Sequence, residues 1–172
     1  MAHLPILIAP DPRLKLKAKP VAGVSREIRR LMDDLLETMY AAPGIGLAAP
    51  QAGIGFRVLV IDIAREGEER QPLCMANPEL MWVSDEIAVY EEGCLSLPEH
   101  YAEVARPARI RVRYLDERNA VREMEADGLL ATVIQHEMDH LDGVLFVDHL
   151  SNLKRNMILR KLAKTKKMDV AL

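Results

Sequence analysis

Long apolar runs are missing from this chain of 172 residues. No stretch approaches the ~18 uninterrupted apolar residues of a membrane-spanning helix, so a helical membrane protein is excluded. The opening, MAHLPILIAPDPRL, has no basic start and carries prolines at 5, 10 and 12. No secretory leader is therefore expected, and the cytoplasm is the expected compartment. Cysteine is scarce, with Cys74 and Cys94 alone; without an export signal these read as reactive or metal-bound thiols rather than a disulfide. Internal repeats, low-complexity tracts and a convincing linker are missing too, which argues against several domains. What remains is 49% hydrophobic and 28% charged. That is enough to bury ~70% of the unfolded surface in one domain covering residues 1–172.

The net charge of −3 is unevenly spread. From Ser151 onward seven basic residues (Lys154, Arg155, Arg160, Lys161, Lys164, Lys166 and Lys167) stand against Asp169, so residues 151–172 carry +6 and residues 1–150 carry −9. A basic terminal helix on an acidic body suggests a polyanionic partner, the alternative being a solvated helix face.

Apolar residues at Ile28, Leu31, Met32, Leu35, Leu36, Met39 and Tyr40 form a helical stripe, with Ser25 as N-cap and Pro43 closing the segment after Ala42. The stripe reads as core. FRVLVIDI (56–63) is β-branched and reads as a buried strand, residues 65–71 as an exposed loop, and 72–126 as strand-rich. RIRVRYL (109–115) alternates strictly, DERN turns, and AVREMEA alternates again, which predicts an antiparallel hairpin. Asp127 and Gly143 bracket a second helix, and a third runs from about Ser151 to Lys167. The expected class is α+β.

The second helix carries QHEMDHLDG (135–143). His136 and His140, four positions apart, can reach one metal ion from one helix face. At 100° per residue they align with Leu129 and Val133, with Glu137 beside them, while Thr132, Gln135 and Asp139 fall on the opposite side. A catalytic metal site usually takes three protein ligands and keeps one position open. The HxxGxxH continuation of many zinc proteases fails here, because Phe146 stands at the third histidine's place. A downstream glutamate is impossible, since none follows Glu137. Asp142, Asp148, His149 and Asp169 have no spacing that recommends them, so the ligand is expected upstream.

EEGCLSLP (91–98) supplies the candidate, Cys94, on what reads as a bent strand edge, whereas Cys74 reads as a buried inert thiol. A Cys94–His136 nucleophile pair is the competing arrangement, and it leaves His140 and Glu137 without a purpose. GIGLAAPQ (44–51) formally matches a dinucleotide fingerprint, but a helix precedes it and a strand follows, the reverse of what that fingerprint needs. Its glycines instead suggest close approach of a ligand to the backbone, and Gln51 is an uncharged amide able to stabilise an oxyanion.

Taken in order, GxGxAAxQ (Gly44 to Gln51), EGCLS (Glu92 to Ser96) and QHExDH (Gln135 to His140) resemble the motif set of bacterial peptide deformylases, and the similarity spans nearly the whole chain. The resemblance implies a single compact α+β domain, with antiparallel sheets surrounding the HExxH helix and a C-terminal helix. It also implies removal of the formyl group from the N-formylmethionine of newly synthesised polypeptides. Cys94, His136 and His140 would then bind the metal, with Glu137 as general base and acid, and Gln51 and the Leu95 amide on the oxyanion. Substrate would meet Gly44, Ile45, Gly46, Glu92 and Gly93, with a methionine pocket near Ile45, Tyr90, Leu129 and Val133. The implied metal is Fe(2+), one per chain, with Zn(2+), Ni(2+) or Co(2+) as substitutes; ligand chemistry alone suits zinc equally well.

The chain departs from some relatives in having Tyr101 where they have arginine, which leaves Arg106 as an expected contact to the bound peptide. The implied partners are N-formylmethionyl nascent polypeptides and the ribosome, with neither membrane nor DNA. On the tail, Leu153, Met157, Ile158 and Leu162 would dock on the body, leaving Lys154, Arg155, Lys161 and Lys164 for ribosomal RNA phosphates. The rival readings are a zinc endopeptidase and a metal-stabilised binding domain.

Overall fold

A computed structural model describes residues 2–171. Met1 and Leu172, the ends of the expected domain, lie outside the described residues, as does the side chain of Asp169. Helix α1 (Arg26–Ala41) begins where Ser25 Oγ accepts a hydrogen bond from the Ile28 amide at 3.3 Å. Its stripe buries Met32, Leu35 and Met39 against strand β2 (Val58–Ile61). Both faces of β2 are covered. Val58 and Val60 join the α1 cluster, while Leu59 and Ile61 pack toward helix α2 (Gly128–Leu141), which is why this segment reads as an unbroken apolar run.

Strand β2 belongs to an antiparallel five-stranded sheet. Its order is β1 (Gly46–Ala48), β2, β3 (Leu73–Val83), β6 (Arg109–Leu115) and β7 (Val121–Asp127). The β6–β7 pair is the expected hairpin, with Ile110, Val112 and Tyr114 inward and the intervening arginines outward. A second sheet is a ribbon of β4 (Ile87–Cys94) and β5 (Leu97–Pro107), joined by a tight turn at Leu95–Ser96. Helix α2 lies between the two sheets and packs on strands of both. This is the α+β arrangement expected.

Central placement overturns one detail. Thr132 and Gln135, expected on the outer side of α2, are buried, because the end of β5 covers that side and Gln135 Nε2 donates to the Pro107 carbonyl at 3.0 Å. Asp127 sits at the N-cap position but its side chain makes no capping hydrogen bond. Gly143 ends the helix at φ 75°, where any side chain would run into the Lys15 carbonyl.

Helix α3 (Asn152–Ala171) starts at Ser151, whose Oγ accepts from the Lys154 amide at 3.3 Å. It docks through Ile158, Leu159 and Leu162. Leu153 and Met157 do not dock as expected: they are 73% and 48% exposed, and Met157 only lines a groove beside β5. Arg155, expected to be free, is bound to Asp148 at 2.8 Å. No helix among the described residues is long and apolar enough to cross a membrane.

Candidate active site

The period of a strand and the period of a helix bring the expected groups together. Tyr90, Glu92 and Cys94 share one face of β4, and the His136 and His140 rings lie 5.1 Å apart on α2. A register shift between Gly93 and Cys94 brings the end of β4 round before the tight turn. The thiol then stands 3.3 Å from His140 Nε2. One donor atom from each of Cys94, His136 and His140 lies within 4.8 Å of the others. Donors ~2.0–2.3 Å from a single tetrahedral ion stand roughly 3.5 Å apart, so this thiol and two imidazoles fit one divalent metal.

The charges around the two histidines act in opposite senses. Burial alone would lower both histidines, and it holds His140 well below the ordinary imidazole value, with the charges of His136 and Arg106 acting the same way. A neutral imidazole is the ligating form. For His136 burial also acts downward, but Glu137, Cys94 and Glu92 together outweigh it and raise the group. Negative groups that favour a proton at His136 also favour other cations there.

Glu137 is 4% exposed, and burial pushes its carboxyl up to about 7 against the pull of His136. Its Oε1 has no hydrogen-bond partner among the described residues. A carboxyl that is buried, lacks a fixed partner and titrates near neutrality can both take and return a proton. The glycines of the 44–51 loop are explained by protein groups: a Cβ on Gly46 would lie 2.5 Å from Glu137 Oε2, and one on Gly44 would lie 2.7 Å from the Leu95 side chain. Gln51 is held by both ends of its amide. Its Oε1 accepts from the Ala48 amide at 2.9 Å, and its Nε2 donates to Ser96 Oγ at 3.0 Å, 3.4 Å from Cys94 Sγ.

A cavity of about 720 Å³ opens over these groups. Gly44, Ile45, Gly46, Gly93 and Leu95 line it beside Cys94, His136 and Glu137, and so does Tyr101. Tyr90, Leu129 and Val133 do not: Val133 packs into the core beside Ile110, and Leu129 opens to solvent on the first turn of α2. Glu92, expected to face substrate, is buried behind the histidines, where its Oε1 takes the His136 Nδ1 hydrogen bond at 2.9 Å. Arg106, expected as a substrate contact, is 5% exposed and spent on ion pairs to Glu92 at 2.7 Å and Asp139 at 2.8 Å. Ser96 and Asp139 are the other supporting residues that the pattern of the sequence did not disclose. The one available signal was that Glu92 and Cys94 lie two apart on a strand and so share a face.

Fold and site together define a hydrolase of the HExxH kind, in which the third candidate ligand is a cysteine delivered by a strand instead of a downstream residue. The chain belongs to the polypeptide deformylase family, whose model matches residues 3–156. The peptide deformylase of Phenylobacterium zucineum is 59% identical over 164 residues, covering 95% of this chain and 97% of that protein. That of Methylocella silvestris is 58% identical over 168 residues, covering 96% and 86%. Among solved structures, the peptide deformylase from Ehrlichia chaffeensis superposes with a TM-score of 0.92 at 39% identity, covering 98% of this chain and 99% of that one. Its complex with actinonin superposes at 0.91, with 41% identity over 96% of this chain and 98% of that one. The family is metal-dependent. This chain is a hydrolase that removes the formyl group from the N-formylmethionine of new polypeptides, and the endopeptidase and binding-domain readings fall away.

Proposed function

We propose that Cys94, His136 and His140 hold one iron(II) ion per chain, with zinc, nickel or cobalt able to take its place, and that the surrounding residues divide the formyl hydrolysis between them. The observation that carries this is the convergence of the three donors within 4.8 Å beside a buried Glu137. Iron is taken from the family resemblance, since the donor set suits zinc as well. Such an ion, when bound, lowers the pKa of a water toward ~7 and polarises the formyl oxygen.

Glu137 accepts the proton of the attacking water and passes it to the leaving amine. Gln51 Nε2, locked by its contacts to Ala48 and Ser96, and the Leu95 amide receive the developing oxyanion. Strand β1 is the edge of its sheet, so an extended peptide can lie along Gly44–Gly46. Ile45 is the member of the expected methionine pocket that faces the cavity, and the methionine side chain is assigned to it.

Formate release from formyl-Met-Ala-Ser, measured beside the metal content of protein prepared without oxygen, tests the assignment. The expected result is one iron per chain, with activity lost faster in air than in the nickel or cobalt form. Casein cleavage without formate release, or full turnover in metal-free protein, would overturn it.

We also assign the cytoplasm as the compartment and the ribosome as a partner. Lys154, Lys161 and Lys164 remain exposed on α3, while Arg155 is committed to Asp148. Reversal of those three charges should abolish salt-sensitive co-sedimentation with ribosomes. Undiminished co-sedimentation would make this face merely solvated.

A further inference from the structure

A groove of about 480 Å³ runs between β5 and α3, away from the metal ligands. Its floor and walls include Leu150, Met157 and Ile158, with Lys154 and Lys161 on one side and Glu103 on the other. Neither lysine is in an ion pair with a described residue. Tyr101 belongs to both this groove and the catalytic cavity. Its ring lies over Gly93, its cross-strand partner, so closely that a Cβ there would come within 2.5 Å of it. The ring is thereby held on the ridge between the two depressions while remaining 64% exposed. The family match ends at residue 156, so Met157, Ile158 and Lys161 lie beyond it.

We propose that this groove binds the polypeptide substrate downstream of its first few residues, with Tyr101 as the surface over which the chain passes. The inference rests on the deformylase activity, whose substrate is a polypeptide. A chain longer than the cavity has to continue across the surface, and each residue beyond the methionine extends its reach by ~3.3–3.6 Å. The Tyr101 edge of the cavity leads directly into the groove. Leu150, Met157 and Ile158 supply an apolar seat, and two lysines against one glutamate leave a positive surplus. The favoured sequence is therefore an apolar residue next to an acidic one. A second exit passes Pro43 and Ile45 toward Asp62 and Arg65, but there Asp62 is already bonded to Tyr40 at 2.5 Å.

The test compares formyl-Met-Ala-Ser with two longer formyl peptides of equal length, one carrying Leu-Glu and the other Leu-Lys at successive positions from the fourth residue onward. The quantity read is the kcat/KM ratio of long to short peptide within each protein, which cancels any general loss of activity. In the native enzyme the Leu-Glu series should gain roughly threefold to tenfold, through KM, at one position of the pair. Lys154→Glu combined with Lys161→Glu should remove that gain and transfer it to the Leu-Lys series. Met157→Ser should shrink both ratios. A native ratio near one at every position, or a preference that survives the double charge reversal, overturns the proposal. Absence of formate even from the tripeptide would instead contradict the deformylase activity itself.

Discussion

His136 Nδ1 stands 2.9 Å from Glu92 Oε1, and because an ionised carboxylate can only accept, the proton of that bond belongs to the imidazole. The carboxylate is held in its charged form: burial would raise it, but His136 and Arg106 outweigh burial and lower it. The Nε2 lone pair of His136 is thus the one left for a metal ion. Glu92→Ala should weaken metal binding by ~10–100-fold, read by competition with a chelator. Unchanged affinity would make the Glu92–Arg106 pair a packing feature only.

Glu137→Gln should keep its metal and lose ~10²–10⁴-fold in kcat. Gly46→Ala should act on the same group from outside, since the added methyl would meet Glu137 Oε2 at 2.5 Å. It should lower kcat while leaving metal content intact. A Gly46→Ala protein with native turnover would show that the carboxylate has room to move without consequence.

The two thiols should behave differently. Burial pushes Cys74 up to about 12, beyond the reach of thiolate chemistry near neutral pH. Cys94 lines the catalytic cavity. Metal-free native protein should therefore react with a thiol reagent at Cys94 alone, and denatured protein at both. Cys94→Ala should lose metal and activity, and Cys74→Ala should keep both. Stoichiometric metal in Cys94→Ala would remove the cysteine from the ligand set.

Acid should loosen the attachment of the segment after α2. Burial works to raise the Asp148 carboxyl, but Lys15, the Leu145 amide at 2.8 Å and Arg155 together lower it. A group whose pKa is lower folded than unfolded adds stability above its unfolded value, ~3.9, and that stability is lost as pH falls through the folded value. Asp148→Asn should therefore lower Tm at neutral pH and make Tm less dependent on pH in the acid range. A parallel shift of the whole Tm curve would point to a packing defect without a charge contribution.

Local periodicity made much of this molecule legible. The α1 stripe, the β6–β7 alternation and the spacing of His136 and His140 each depend on neighbours a few residues away. Cys94 could be reached by elimination, because Phe146 and the missing glutamates closed the downstream routes. Arg106 could not be read in this way. Its partners Glu92 and Asp139 lie on a different strand and on a helix, and only the way β4, β5 and α2 pack decides that it turns inward. The burial of Gln135 and the exposure of Met157 were hidden for a related reason: one helix is covered on sides that its own sequence cannot specify, and the other docks at an angle that its stripe does not define.

The Ala18 amide donates to the Leu141 carbonyl at 2.8 Å, and Arg57 reaches the same carbonyl at 2.9 Å, so the end of α2 is pinned by residues from the beginning of the chain. In order of synthesis, the anchor is made among the first residues and the helix it holds near the last. A ribosome must therefore complete most of the polypeptide before His136 and His140 can be seated beside Cys94. A chain stopped before His136 lacks both histidines and Glu137, and should therefore release no formate.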